Sequence, residues 1–328
     1  MMELPKIELH CHLDGSLRAE TVKDIANKEN IKLPTDDINS LKEYLQVTPQ
    51  CRSLVEYLEK FDLPIEVMQR KENLKRVTYE LIEDVASENV KYIEIRFAPM
   101  LHMKNGLSIK EVIKSVLEGM NEGCNKLHIK ANLILSCMRN MSEEDAILVI
   151  EEGREFLNNG VVAIDLCGPE DEGFSKKFEK AIKLAKSYGY NVTIHAGEAA
   201  SGKNVIEAIN MLGAQRIGHG IRIKDMKEAY DLVKESKVVL EMCPTSNIQT
   251  KAIDSFDKYP FYDFYKNGLN VTLNTDNRTV SNIDLTHELN LIRDKFSISK
   301  DEYKDIYLKS VDATFADDKT KEWLRSLI

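Results

Sequence analysis

The chain has 328 residues, of which 43% are hydrophobic and 30% are charged, and its formal net charge is -9. This composition is typical of a folded globular protein and excludes a disordered or collagen-like chain. Because acidic residues dominate, we expect neither a nucleic acid nor an anionic membrane as a partner. A small and roughly neutral molecule is the expected ligand.

Cysteine spacing and hydropathy indicate the compartment. The six cysteines show no C-x-x-C spacing, which disfavours both a disulfide framework and a thiolate zinc site and favours a reducing environment. No window approaches the roughly 18 to 20 apolar residues of a membrane span, and the first residues, MMELPKIELHCH, do not resemble a signal peptide. The sequence therefore predicts a cytoplasmic protein.

Eight short segments rich in β-branched residues alternate with helical patterns. Several are apolar through their first half and gain polar residues only toward their C-terminal end, as parallel strands covered on both faces do. We therefore predict an α/β fold, a (β/α)8 TIM-type barrel that forms one catalytic domain over residues 1–328. The predicted strands are 7–12, 90–99, 129–138, 161–168, 191–197, 216–221, 238–244 and 270–277.

Helices are expected between these strands. Ser108 and Glu111 form a capping box before an apolar stripe, and a second stripe runs through Leu74, Val77, Leu81 and Val85. About 75 residues separate the first two strands, which predicts a helical insertion there. Its apolar side chains are expected either to cover a ligand or, as the favoured interpretation for each one singly, to pack between helices: Leu54, Leu58 and Phe61.

Histidines recur at the ends of the predicted strands. His10 and His12 are two residues apart on the first strand and so face the same side, although this pair alone is a weak signal. His195, His219 and Asp276 end the fifth, sixth and eighth strands. These ends meet at one mouth of a (β/α)8 barrel, where such enzymes keep their catalytic residues. Three further histidines are expected on helices and loops: His102, His128 and His287.

Three imidazoles and one carboxylate suit one catalytic zinc ion with a position left for water. We assign His10, His12, His195 and Asp276 as its ligands, and His219 as a neighbour that orients the water. The fourth strand contains no lysine that could be carbamylated to bridge two metals. The sequence therefore predicts one Zn2+ per chain.

Seven segments, in order, resemble the adenosine deaminase family: ELHCHLDGSL, IEIRFAP, IDLCGPE, TIHAGE, IGHGI, CPTSN and NTDN. The resemblance extends from Ile7 to the C-terminal VDATFADDKTKEWL, and its joint pattern of HxHLDG, HAGE and TD is specific. It implies a (β/α)8 barrel with one zinc. It also implies hydrolytic deamination of adenosine, and usually of 2′-deoxyadenosine, to the inosine product and ammonia.

The resemblance also implies a role for each matching residue. Glu198 would protonate purine N1 while water adds to C6, with His219 and Asp276 steadying that water. The backbone of Gly168 would meet N3, whereas without the resemblance this glycine would be interpreted as a turn residue. Asp14 would hold a ribose hydroxyl, and on its own would be interpreted as a cap.

Position 277 departs from the family, which often has a second aspartate after the metal-binding one. Asn277 stands there and would reach N7. Since N7 is an acceptor, an amide can donate to it without being protonated, whereas an aspartate would have to stay neutral. The substitution preserves the chemistry and leaves the strength of purine recognition open.

The sequence is also compatible with neighbouring functions. The nearest of these is a related 6-aminopurine deaminase that acts on adenine, AMP or a modified adenine nucleoside. Adenine deaminases that resemble this family tend to have glutamate in place of Asp14, and a nucleotide enzyme should add basic residues for the phosphate. An amide or ester hydrolase of the same superfamily and a non-catalytic nucleoside-binding barrel fit the pattern less well. The oligomeric state is not predicted.

Overall fold

Eight parallel strands form the centre of the structure, a computed structural model that describes residues 4–328. Neighbours in sequence are neighbours in the sheet, from β1 to β8. The ring closes where the Asp276 N–H donates to the His10 carbonyl at 2.8 Å and the His12 N–H donates to the Asp276 carbonyl at 2.7 Å. The predicted (β/α)8 barrel is confirmed. The strands are β1 (Lys6–His12), β2 (Val90–Phe97), β3 (Lys130–Met138), β4 (Val161–Cys167), β5 (Asn191–Ala196), β6 (Arg216–His219), β7 (Val239–Met242) and β8 (Asn270–Leu273).

Helices surround the barrel, and five of them form the predicted insertion between β1 and β2. The insertion contains α1 (Ala19–Glu29), α2 (Ile38–Leu45), α3 (Leu54–Leu58), α4 (Asp62–Val67) and α5 (Lys71–Ser87). The later helices are α6 (Ile109–Leu127), α7 (Glu143–Gly153), α8 (Glu179–Tyr188), α9 (Gly202–Glu207), α10 (Lys227–Ser236), α11 (Pro244–Gln249), α12 (Phe261–Lys266), α13 (Leu285–Phe296), α14 (Lys300–Ala313) and α15 (Asp318–Arg325). Within residues 4–328, no helix has both the length and the apolar character needed to cross a membrane.

Local sequence signals explain where these helices begin and which face they bury. The Ser108 side chain accepts from the Glu111 N–H, and the Glu111 carboxylate accepts in return from the Ser108 N–H at 3.0 Å, so the predicted capping box starts α6. The predicted stripe on α5 is buried in the main core, and α5 packs against α6. The apolar faces of α5 and α6 therefore pack into the core, as the spacing of their apolar residues predicts.

The barrel interior is more charged than the apolar first halves of the strands suggested. Arg96 lies 3.2 Å from Asp165 and 2.7 Å from Glu241, and Arg216 lies 2.6 Å from both Glu94 and Glu241. All five side chains are almost fully buried. The expectation of polar residues only at strand ends was therefore wrong, because arginines and carboxylates from different strands pair inside the barrel and so avoid the cost of burying single charges.

Several strands end earlier than predicted. β6 stops at His219 and β8 at Leu273, so Asp276 follows its strand and pairs with Cys11 only as an isolated bridge. His219 has φ +63° and Asp276 has φ +67°. A positive φ takes the backbone out of the extended conformation, so at His219 it ends β6, whereas β8 has already ended three residues before Asp276.

Candidate active site

A cavity of about 290 Å³ opens at the C-terminal mouth of the barrel. Eight of the nine residues singled out in the sequence line it: His12, Asp14, Gly168, His195, Glu198, His219, Asp276 and Asn277. The ninth, His10, is fully buried and its ring lies 4.5 Å from that of His195, centre to centre. The barrel therefore brings together residues that are up to 267 positions apart in the sequence.

Imidazole and carboxylate atoms cluster at one end of this cavity. The Nε2 atoms of His10 and His12 lie 3.3 and 3.4 Å from Asp276 Oδ1, and His12 Nε2 lies 3.2 Å from His195 Nε2. In addition, His10, His195, His219 and Asp276 each offer one ligand atom within 4.8 Å of the others. His10, His195 and Asp276 belong both to the predicted ligand set and to this second set, in which His219 takes the place of His12. The cluster fits a metal site of the His/His/His/Asp type.

Two buried carboxylates orient two of the histidine rings in this cluster. Glu241 lies 2.8 Å from His10 Nδ1, and Asp165 lies 3.0 Å from His195 Nδ1, so each ring directs its Nε2 to the cluster. His10 Nε2 is buried and makes no hydrogen bond within the described part of the chain. A buried nitrogen with a free lone pair is what a metal ion requires.

Burial also keeps two of the histidines in the form that binds metals. It lowers the pKa of His12 and of His195, because a charged imidazolium is disfavoured away from water. Neutral imidazole is the ligand form. The residues present therefore fit a bound metal cation.

Asp276 is held by a second contact and by an unusual backbone conformation. The Ser246 hydroxyl donates to Asp276 Oδ2 at 2.6 Å, which leaves Oδ1 facing the histidines. Asp276 and His219 both have positive φ, which costs energy in a non-glycine residue and must be held by the surrounding contacts.

The side-chain amide of Asn247 orients the His219 ring. The Asn247 Nδ2 lies 2.9 Å from His219 Nδ1, and the Tyr259 hydroxyl donates to Asn247 Oδ1 at 3.1 Å. With the amide oriented in this way, His219 Nδ1 accepts and its Nε2 carries the proton of the neutral ring. That Nε2 lies 3.6 Å from Glu198 Oε2. Burial lowers the pKa of His219 well below its usual value.

Glu198 follows β5 and is buried in the cavity wall. Burial, followed by the charges of Asp276 and Glu170, raises the pKa of Glu198 to about 8. The Thr250 hydroxyl donates to Glu198 Oε1 at 3.1 Å. At neutral pH this carboxyl therefore holds a proton, and it can donate it to a ligand in the cavity.

Three further predicted residues lie along the same cavity. Asp14 is buried with its Oδ1 unpartnered among the described residues, and burial raises its pKa to about 7. Gly168 has φ +93°, a conformation that favours glycine. Asn277 lies so close to Gly15 that a Cβ there would be 2.0 Å from the Asn277 Oδ1, so only glycine leaves room for this amide.

The helical insertion supplies an apolar wall. Leu54, Leu58 and Phe61 line the same cavity as the polar residues, which favours a covering role over helix packing alone. Tyr57 was not singled out in the sequence; it is buried and its hydroxyl lies 2.7 Å from the Ser281 Oγ. This contact joins the insertion to the loop that follows Asp276.

Sequence reasoning missed the residues that support the site. Asp165 and Glu241 stand within apolar strand segments, VVAIDLCG and VVLEMCP, and an acid in such a position is a signal of a buried partner. Asn247 and Glu170 end two of the segments that carry the family resemblance, CPTSN and IDLCGPE, but neither was given a role, and nothing in the local pattern marked Thr250.

Known proteins provide an independent comparison. The family model described as Adenosine deaminase matches residues 5–328. An adenosine deaminase of Clostridium botulinum (strain Okra / Type B1) is 56% identical over 326 residues, which cover 99% of this chain and 97% of that relative.

Solved structures of related deaminases match the chain over nearly its whole length at lower identity. An adenine deaminase from Arthrobacter aurescens has a TM-score of 0.92 at 25% identity, covering 99% of this chain and 98% of that one. The Arabidopsis N6-mAMP deaminase has a TM-score of 0.88 at 31% identity, with 99% and 98% covered. An amidohydrolase from Burkhoderia ambifaria with bound Zn has a TM-score of 0.88 at 25% identity, with 99% and 89% covered. The chain belongs to the adenosine deaminase family and is a hydrolytic deaminase.

Proposed function

We propose that this protein hydrolyses adenosine, and also 2′-deoxyadenosine, to inosine or 2′-deoxyinosine with release of ammonia. The observation that carries this proposal is the position of the buried Glu198 carboxyl beside the histidine and aspartate cluster at one end of a cavity. The high identity to relatives named adenosine deaminase supports the same substrate.

Glu198 acts as the general acid. With a pKa raised to about 8, its carboxyl donates a proton to purine N1, which makes C6 electrophilic toward water. As ammonia leaves C6, the proton that it needs passes through the same carboxyl. General acid and base groups of this kind contribute about 10²–10⁴-fold to a rate.

Zinc is the proposed metal, one ion per chain, held by His10, His12, His195 and Asp276. When bound, zinc supplies Lewis-acid activation of the attacking water. The unpartnered Nε2 of His10 and the orienting carboxylates Asp165 and Glu241 support this ligand set. The neighbour from Burkhoderia ambifaria, which has bound Zn, supports the choice of ion.

His219 orients the water and does not ligate the metal. Its Nδ1 accepts from Asn247, so its Nε2–H is available as a donor on the Glu198 side of the cavity. A neutral donor in this position stabilises negative charge that develops on the attacking oxygen.

Purine and ribose groups are recognised along the rest of the cavity. The backbone of Gly168 meets N3, the Asn277 amide donates to N7, and Asp14 accepts from a ribose hydroxyl. The unpartnered Asp14 Oδ1 supports this last assignment, because a buried carboxyl oxygen without a donor is costly unless a ligand provides one.

The charge of the cavity favours a nucleoside over a nucleotide. Among its lining residues, all within the described chain, none is lysine or arginine, whereas Asp62 adds negative charge. A phosphate group would meet repulsion here and no bidentate partner. The preference for a neutral substrate therefore follows from the same residues.

A substrate panel tests this proposal. Purified protein is assayed with adenosine, 2′-deoxyadenosine, adenine, AMP and N6-methyl-AMP, and formation of the corresponding 6-oxopurine is measured, because N6-methyl-AMP would release methylamine and not ammonia. We expect kcat/KM for the two nucleosides to exceed that for the other three by at least about a hundredfold, equivalent to roughly 2.7 kcal/mol. If kcat/KM is higher for adenine or for either nucleotide than for adenosine, that compound and not adenosine is the substrate.

We propose three further properties. The chain forms one catalytic domain over residues 1–328, supported by a main hydrophobic core that includes residues from all eight strands. The cytoplasmic location is supported by the six cysteines, all of which are free thiols. The partner is a small purine nucleoside, with neither nucleic acid nor membrane involved.

A further inference from the structure

The Glu170 carboxylate lies at the centre of a set of backbone N–H groups from the loop after β5. Its Oε1 accepts from Gly197 at 2.7 Å, and its Oε2 accepts from Glu198, Ala199 and Ala200 at 3.0, 2.8 and 3.0 Å. Four consecutive backbone donors thus share one carboxylate. Such charge-assisted bonds are stronger than those between neutral groups.

We propose that Glu170 is a positioning residue that holds the loop 197–200 so that the Glu198 side chain faces the cavity. This inference rests on the role that the proposed function gives to Glu198. Gly197 has φ +65°, so the chain turns there, and its successive N–H groups point to the same side. Without an anion at the centre of this turn, four donors would lose their acceptor.

Glu170 is itself held in place by a buried asparagine, Asn204. Asn204 is fully buried on α9, and its Nδ2 donates to Glu170 Oε1 at 3.0 Å and to the Asp171 carbonyl at 3.1 Å. Its Oδ1 accepts from the Gly173 N–H at 2.9 Å. Glu170 and Asn204 therefore join the loop after β4 to the loop after β5 and to α9.

Another residue holds the opposite end of the purine site independently. Arg139 donates to the His195 carbonyl at 2.5 Å and also to the Gly168 carbonyl. Gly168 would keep its position when Glu170 is changed, because this contact does not involve Glu170. Loss of the Glu170 carboxylate should therefore affect the orientation of Glu198 more than the binding of the purine.

Glu172 offers a matched control on the same loop. It is exposed, and it accepts one backbone N–H, that of Ser201 at 2.8 Å. Glu170→Gln and Glu172→Gln both remove one negative charge from the same surface. In Glu170→Gln the new NH2 must oppose either one or three of the loop N–H groups, whereas in Glu172→Gln the amide oxygen can keep the single bond.

The experiment compares these two variants with the unmodified metal-loaded protein in two ways. Steady-state kinetics with adenosine should show kcat of Glu170→Gln reduced about ten- to hundredfold with KM changed less than about threefold, because a misplaced general acid affects the transition state and not ground-state binding. Glu172→Gln should stay within about twofold of the unmodified protein. Hydrogen exchange, followed by mass spectrometry, should be faster across residues 197–200 in Glu170→Gln only.

Three results would overturn the inference. These are unchanged exchange at 197–200 in Glu170→Gln, faster exchange with an unchanged kcat, or an equal loss of kcat in the two variants. If Glu170→Gln does not fold, Glu170→Asp, which keeps the charge but shortens the reach, takes its place with the same expectations. If the unmodified protein deaminates no nucleoside, the proposed function has failed and this inference fails with it. If the unmodified protein is active and Glu170→Gln keeps its kcat, only this inference has failed.

Discussion

Asp165 Oδ1 lies 3.0 Å from His195 Nδ1, and both side chains are buried at the mouth of the barrel. The carboxylate fixes the ring so that Nε2 faces His12, 3.2 Å away. Arg96 holds the other oxygen of Asp165, with its Nη1 at 3.2 Å from Oδ2. The position of one proposed metal ligand is therefore set by a pair of charges inside the barrel.

Asp165→Asn should weaken metal binding without removing it. The amide can still contact His195, but it provides no negative charge, and changes of this kind cost about 10–100-fold in metal affinity. Competition with a chelator of known zinc affinity measures this directly. Wild-type affinity in the Asn variant would mean that Asp165 serves only the barrel interior.

Removing a proposed ligand should have a larger effect. Purified protein is expected to hold one zinc per chain, and His195→Ala or His12→Ala should lose both the metal and the activity. Metal analysis by mass spectrometry, paired with circular dichroism as a control for folding, checks this. Two zinc ions per chain, or full activity after complete chelation, contradict a site with one metal.

Asn277 tests purine recognition. Asn277→Leu removes the amide that we propose donates to N7 while changing the volume little, and an acceptor left without its donor costs about 1–3 kcal/mol. Deamination should then slow about ten- to hundredfold, with zinc retained. An unaffected Leu variant would show that Asn277 only packs against Gly15 at the rim.

The acid role of Glu198 predicts a pH dependence. Its pKa is raised to about 8, so the protonated form predominates below that pH and is lost above it. The rate constant kcat/KM should therefore hold below about pH 8 and fall as the pH rises further. Values of kcat/KM that do not fall above pH 8 would contradict this role of Glu198.

The variant Asn277→Asp should lose kcat/KM with rising pH more steeply than wild type does, because the aspartate carboxyl can donate to N7 only when it is protonated. Parallel pH profiles for the two proteins would exclude a donor role for the side chain at position 277.

Much of the fold could be predicted from the sequence. Each barrel strand is a short β-branched run between amphipathic helices, and this alternation is a local property that the sequence displays directly. The positions of His10, His12 and His195 followed from strand ends for the same reason. The early end of β6 could not be predicted in this way, because the positive φ of His219 depends on contacts around the barrel mouth.

The charged interior could not be predicted from local patterns. Glu241 contacts His10 from 231 positions away, and Arg96 contacts Glu241 from 145 positions away. Only the closed barrel brings such partners together. Glu170 likewise shows its role only once the loop after β5 turns its N–H groups toward it.

The central claim is that Glu198 drives the deamination of adenosine in this cavity. It is tested by measuring inosine and ammonia formed from adenosine by wild type and by Glu198→Gln, at equal and measured zinc content. We predict equimolar inosine and ammonia from wild type, and a rate lower by about 10²–10⁴-fold in the Gln variant, which keeps the shape of the side chain but cannot act as an acid. A wild-type protein that releases no ammonia from adenosine, or a Gln variant that retains the wild-type rate, would contradict the claim.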